Sequence, residues 1–189
     1  MEVLRAIADF LDNKSVAAFA GAFAAFALVV LNDWRREGRK VKNIRGEVEM
    51  NLALAQSKLE SVRRNRSLMR EHNKVMPAPI LKFNTTLIRE LAAEVLSRLT
   101  LDQRRAIEAL CYTMEATDEV LLDAYTVARE FAGPLGQGDR LIKAERLLLE
   151  YGDAIVNLNR LMEMSENYIA GRYNVILTKQ YDRMQYEEK

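Results

Sequence analysis

The side chains that most often do chemistry are scarce in this chain. It has one His, His72, and one Cys, Cys111. A single imidazole excludes sites that need two, such as helical His-Glu-x-x-His zinc sites and paired Glu-x-x-His di-iron sites. A single Cys excludes a disulfide framework and a Cys-rich zinc centre. His72 stands between Arg70 and Lys74, with no nucleophile beside it, and reads as a solvated residue. Cys111 falls on an apolar helical face and reads as a small core residue. Glu115, Asp118, Glu119 and Asp123 read as a solvated acidic face, because a metal-binding bundle draws its ligands from several helices. The chain has no phosphate-loop motif, no dinucleotide fingerprint and no nucleophile elbow. Gly136-Gln137-Gly138 starts like a phosphate loop, but no strand precedes it, so it reads as a turn. These residues predict no enzyme, no metal and no cofactor.

The polar feature with most binding chemistry is basic. Arg63, Arg66, Arg70 and Lys74 repeat at helical spacing, with Arg64 beside them. Arginine offers planar, bidentate donors suited to phosphate. A second group, Arg140, Lys143 and Arg146, opens a predicted helix whose N-terminus already attracts anions. Candidate ligands are a cyclic nucleotide messenger, RNA or lipid headgroups. The alternative is that these cations pair with acids on neighbouring helices. The balance of 28 Lys+Arg against 27 Asp+Glu, a formal charge of +1, permits that pairing. It also argues against a strongly basic nucleic-acid binder, so no double-stranded DNA is expected as a partner.

The elements that must position these residues are helices. Only 3 Pro and 8 Gly interrupt a sequence rich in Leu, Ala, Glu and Arg. Residues 16–31 carry no polar side chain. As a helix they span about 24 Å, somewhat less than a bilayer core of about 30 Å. Ser15 and Asn32 extend the run and Trp34 suits a headgroup interface. A cleaved signal peptide and a buried core helix are the competing readings. The first lacks a positive n-region and a small-x-small cleavage site. Arg35, Arg36, Arg39, Lys40, Lys42 and Arg45 follow the run, so the positive-inside rule places the rest of the chain in the cytoplasm. Within the run, Phe19, Phe23, Phe26 and Val30 lie within about 60° of one another. Ala17, Gly21 and Ala25 form a small-x-x-x-small series suited to self-association in the membrane. Ahead of the run, Val3, Leu4, Ile7, Ala8 and Leu11 make one apolar stripe, so residues 1–12 read as an interfacial helix or a frayed end.

Beyond the run, Val48, Leu52, Ala55, Leu59, Val62, Arg66 and Met69 alternate at spacings of four and three. That heptad series fits a parallel coiled coil or, better, one edge of an intramolecular bundle. Pro77 and Pro79 stop the helix. A second helix starts at Asn84 or Thr85 and presents Leu87, Ile88, Leu91, Val95, Leu96 and Leu99. Thr100 and Gln103 form a capping box for a third, which runs to about Ala132. Its apolar face is Ile107, Leu110, Cys111, Met114, Leu121, Tyr125 and Ala128. After the Gly-rich loop Asp139 caps a fourth, reaching toward Tyr186 with soft spots at Gly152 and Gly171. Leu141, Ile142, Ala144, Leu148, Ile155, Leu158, Leu161, Met162, Ile169 and Ile176 supply its core face. The predicted class is all-α: an N-terminal transmembrane helix followed by an antiparallel bundle of about four helices. The organisation is a flank over 1–14, the membrane helix over 15–34 and a cytoplasmic domain over 35–189.

Two features together resemble a known layout. The anchor leads into Trp34-Arg35-Arg36, and then comes Glu47-Val48-Glu49-Met50-Asn51-Leu52. This resembles bacterial single-pass membrane proteins with a cytoplasmic helical domain. The layout is also similar to the CRISPR-associated membrane effectors gated by cyclic oligoadenylate, although no motif carries that similarity and no ligand residue transfers from it. The resemblance implies a protein of the bacterial inner membrane. The expected function is a non-enzymatic, membrane-anchored homo-oligomer whose cytoplasmic domain binds a partner or itself. The alternatives are an effector gated by an anionic nucleotide messenger, in antiviral defence, and a soluble helical adaptor.

Overall fold

The computed structural model describes residues 14–77, 81–134 and 136–178, with side chains from Ala20 onward except at Gln137. The order of elements is α1 (Lys14–His72), α2 (Thr85–Glu94), a 3-10 turn (Leu96–Arg98), α3 (Leu101–Ala132) and α4 (Gln137–Ile169), then a helical stretch over 173–178. No strand occurs among the described residues, and the protein is all-α as its composition requires. The chain divides into two compact units, one reaching to Lys40 and the other beginning at Val41.

Local chemistry sets most of the boundaries. Asn84 caps α2, its side chain accepting from the Leu87 amide at 3.4 Å. Thr100 and Gln103 close a reciprocal capping box, at 3.2 and 2.8 Å, which satisfies two orphan donors of the first turn of α3. Both agree with the sequence reading. Asp139 does not cap α4: Gly136 does so without a side-chain bond, and Asp139 lies inside the first turn. Neither is Gly171 a soft spot in a longer helix. Its φ of 73° is the left-handed conformation that glycine adopts freely. The Arg172 amide reaches the Asn167 carbonyl at 2.8 Å and the Gly171 amide reaches Tyr168 at 3.0 Å. That pair of bonds is a Schellman stop. The predicted extension to Tyr186 lies beyond the described residues, as do residues 1–12 of the proposed interfacial helix.

The core of the second unit draws on every helix. From α1 it takes Ile44, Val48, Ala55, Leu59, Val62 and Met69, all buried beside residues of the other helices. The heptad face of α1 is therefore consumed within one chain, as the edge of a bundle. From α2 and the turn after it come Ile88, Ala92, Val95 and Leu99; Leu96 points outward instead. The tight turn over Leu96–Arg98 breaks the 3.6-residue phase that the sequence implied for it. In α3 the expected face is buried except for Tyr125, which is half-buried. In α4 the core stripe is Leu147, Tyr151, Ala154, Leu158, Leu161, Met164 and Tyr168. Leu141 and Ile142, expected in it, are 66% and 67% exposed. Helices α3 and α4 make the closest pairing.

In the first unit, the apolar side chains are uncovered. Phe23, Phe26, Leu28, Val29 and Val30 are each at least half exposed, Leu31 is 43% exposed, and Trp34 is 57% exposed. Among the described residues no helix is long and apolar enough to cross a membrane. The predicted transmembrane helix thus has no described helix to answer to it. The apolar run 16–31 lies wholly within α1, and at about 24 Å it is shorter than the roughly 30 Å of a bilayer core.

Candidate functional site

The second unit contains a groove of about 260 Å³ whose walls come from three helices and a loop. Helix α1 presents Ser57, Lys58, Ser61, Val62 and Asn65, residues that share one face by their spacing of three and one. Helix α3 presents Leu121, Ala124, Tyr125 and Ala128 by the same periodicity, and α4 supplies Tyr151. Pro77 and Leu81 line it from the segment between α1 and α2. Asn65 fixes that segment at both polar groups of one residue. Its Nδ2 donates to the Met76 carbonyl at 3.2 Å, and its Oδ1 accepts from the Met76 amide at 3.0 Å.

One lining residue, Lys58, belongs to a desolvated ion pair. Lys58 Nζ donates to Asp118 Oδ1 at 2.8 Å, with only 10% and 12% of the two side chains exposed. The ammonium lies 3.7 Å above the centre of the Phe83 ring, a cation–π geometry. Asp118 Oδ2 accepts from the Phe83 amide at 2.9 Å. Burial pushes the Lys58 ammonium below its ordinary pKa, and Asp118 opposes this through its hydrogen bond and charge. On the α4 side of the groove, burial pushes the Tyr151 phenol up to about 12. Tyr151 is 4% exposed and its hydroxyl makes no hydrogen bond among the described residues. Ser61 and Tyr125 also reach the groove without a hydrogen-bond partner among them. The arrangement suits a small, mostly apolar guest with a polar group to meet these hydroxyls.

The acidic residues of α3 have a different role from the one their sequence suggests. Glu115 and Asp118 are partners of the α2 region and not a solvated face. Glu115 accepts from Thr85 Oγ1 at 3.1 Å and from both terminal nitrogens of Arg89, one of them at 3.1 Å. Arg89 also approaches Glu108 at 3.6 Å. The hydrogen bond from Arg89 above all holds the Glu115 carboxyl below the ordinary carboxylate range; burial opposes it, and the Thr85 hydrogen bond and the Arg89 charge add to the lowering. Asn51, part of the pattern behind the family resemblance, is 4% exposed. It accepts from the Asn84 amide at 3.0 Å and donates to the Glu47 carbonyl at 3.0 Å. Its position in the pattern is explained by docking the start of α2.

The predicted anion residues are dispersed. Arg63 and Arg70 are exposed on α1 and form no ion pair among the described residues. Arg66 is half-buried. Its Nε is enclosed without a partner, and a Cβ at Gly152 would lie 3.9 Å from its terminal nitrogen. Lys74 is off the stripe, because α1 ends at His72 and Asn73 turns the chain with a φ of 50°. Lys143 is paired with Glu130 at 2.7 Å, and the Arg140 guanidinium lies 5.3 Å from the centre of the Phe131 ring. These two are committed to the end of α3. In the first unit, Gly21 has open space around its Cβ position and Ala25 is exposed, while the side chains of Ala17 and Phe19 lie outside the described residues. Cys111 is fully buried, and burial raises its thiol pKa to about 12, which makes it an inert core residue. His72 is exposed, 3.9 Å from Glu71.

Sequence reasoning missed Ser61, Asn65 and Tyr151. The first two share a face with Ser57 at four-residue intervals, beside the heptad stripe, and that polar column was a readable signal. Tyr151 gave none. No family model matches this chain, and no curated protein or solved structure was found to be similar to it.

Proposed function

We propose that this chain is a non-enzymatic, bilayer-anchored helical protein that assembles with copies of itself. The observation that carries the reading is the exposed apolar segment of α1. Four consecutive residues, Leu28 to Leu31, are 43% to 66% exposed. Consecutive helical positions point about 100° apart, so apolar surface faces outward on all sides. Such a helix needs lipid or protein around it. In sequence, residues 16–19 complete the run, and six Lys or Arg follow within residues 35–45. That asymmetry supports a cytoplasmic location for the second unit. Fractionation of the full chain tests the anchor. The expected result is recovery with membranes, resistant to alkaline carbonate, and release on Phe26→Arg plus Val29→Arg. Recovery in the soluble fraction without detergent would leave the soluble adaptor as the better reading.

A second reading, an effector gated by an anionic messenger, is favoured by one observation. Arg63 and Arg70 stand exposed and free of ion pairs among the described residues on the helix that carries the apolar segment. Binding would drive a change only through differential affinity for two arrangements. A thermal-shift panel of linear and cyclic nucleotides on the full chain in detergent checks it. A saturable rise that disappears with Arg63→Glu plus Arg70→Glu is expected. A flat response, or a rise that survives the charge reversal, removes this reading.

A further inference from the structure

We propose that α4 is the self-association surface and that it pairs antiparallel with α4 of a second copy. The inference rests on the self-assembly reading above and adds the surface and the geometry. Helix α4 carries two apolar stripes. One, from Leu147 through Leu158 to Tyr168, is buried in the core. The other consists of Ile142, Leu149 and Val156, which are 67%, 70% and 65% exposed. They recur at seven-residue intervals, so they align within about 40° along one face. Three large aliphatic side chains in a row on a solvent face form a ridge that a partner helix covers well.

The charges beside the ridge identify the partner as a second copy. Asp139, Arg146, Asp153 and Arg160 also recur every seven residues, and they alternate in sign. All four fall on the same edge of the ridge, within about 80° of Leu149. A two-fold axis crossing between two antiparallel helices brings that edge against the same edge of the partner. With the axis near Leu149 and Glu150, Arg146 meets Asp153 of the partner subunit and Asp139 meets Arg160 of the partner subunit. Ile142 then lies over Val156 of the partner subunit, and Leu149 packs beside its own counterpart. A parallel pair in register would instead set this edge against the opposite edge of the partner helix, where Leu141, Glu145, Gly152 and Asn159 offer no matching alternation of charge. The alternation is therefore self-complementary in one direction only. The ridge is short, about 21 Å from Ile142 to Val156, so the contact alone is at the weak end of specific interfaces. Confinement of both copies to one bilayer raises their effective concentration and strengthens the pair without new contacts.

Disulfide trapping and charge reversal on the full chain in lipid nanodiscs test the geometry. Leu149→Cys should cross-link to itself on mild oxidation, since it lies by the axis; the native Cys111 is buried. Ile142→Cys mixed with Val156→Cys should cross-link well, and each alone poorly. Arg146→Asp and Asp153→Arg should each weaken the dimer about tenfold, and the double reversal should return it to within about threefold of the parent. Equal cross-linking of Ile142→Cys with itself would overturn the antiparallel arrangement. Dimers seen by mass photometry without a Leu149→Cys cross-link, or without rescue by the double reversal, would overturn the α4 surface and leave self-association standing. A chain monomeric at every density in the bilayer would overturn self-association itself.

Discussion

Asp118→Ala is expected to destabilise the protein by about 3 kcal/mol or more, the magnitude seen when one partner of a buried ion pair is removed. Both carboxylate oxygens are engaged: one by the Lys58 ammonium at 2.8 Å, the other by the Phe83 amide at 2.9 Å. Their loss leaves a desolvated ammonium and an unsatisfied amide in the same place. The side chain also links α1, α3 and the segment entering α2, so the loss loosens three parts of the domain together. For a chain of this length the fall in Tm should be roughly 6–12 °C. Lys58→Met in the Asp118→Ala background should restore most of it, because the uncompensated charge is the larger part of the cost and the methionine keeps the stem packed over Phe83. A double variant no more stable than Asp118→Ala would show that the bond to Phe83 dominates.

The pair also has a pH signature. The folded-state pKa of Lys58 lies below its ordinary 10.5, with desolvation as the leading cause. Between the lowered value and 10.5 the unfolded chain binds the more protons, so stability from this group rises with pH in that window. The penalty is fully present below it. The urea midpoint of the parent, measured against Lys58→Met, should therefore rise toward pH 10.5.

The second large effect is expected at Leu158→Ala. Leu158 is fully buried on the core stripe of α4. Truncation removes transfer energy and leaves a cavity, at a cost of about 2–5 kcal/mol. Val156, two positions earlier on the same helix, is 65% exposed, and Val156→Ala should stay within about 0.5 kcal/mol. Urea denaturation of the two variants reads this difference directly. Under the antiparallel pairing, Val156→Ala acts instead on self-association. Equal stability losses at the two positions would mean that the stripes of α4 are assigned the wrong way round.

The sequence by itself determined what depends on neighbours along the chain. Helical class, the Asn84 cap, the Thr100–Gln103 box and the α3 face follow from capping chemistry and a 3.6-residue period, both local. The end of α4 is not among these features: in sequence Gly171 reads as a soft spot in a helix reaching toward Tyr186, and only the backbone, with a φ of 73°, makes it a left-handed stop. The apolar run over residues 16–31 and its basic flank are likewise legible without a fold. What only the tertiary structure decided involves residues far apart in sequence. Lys58 meets Asp118 across 60 positions, and Asn51 meets Asn84 across 33. An acidic cluster looks solvated until another helix is laid against it. The apolar pattern of α4 has two stripes of similar strength, at Leu147–Leu158 and at Ile142–Val156. Periodicity specifies the spacing within a stripe. The rotation of the helix about its axis, and hence which stripe is buried, is set by what packs against it.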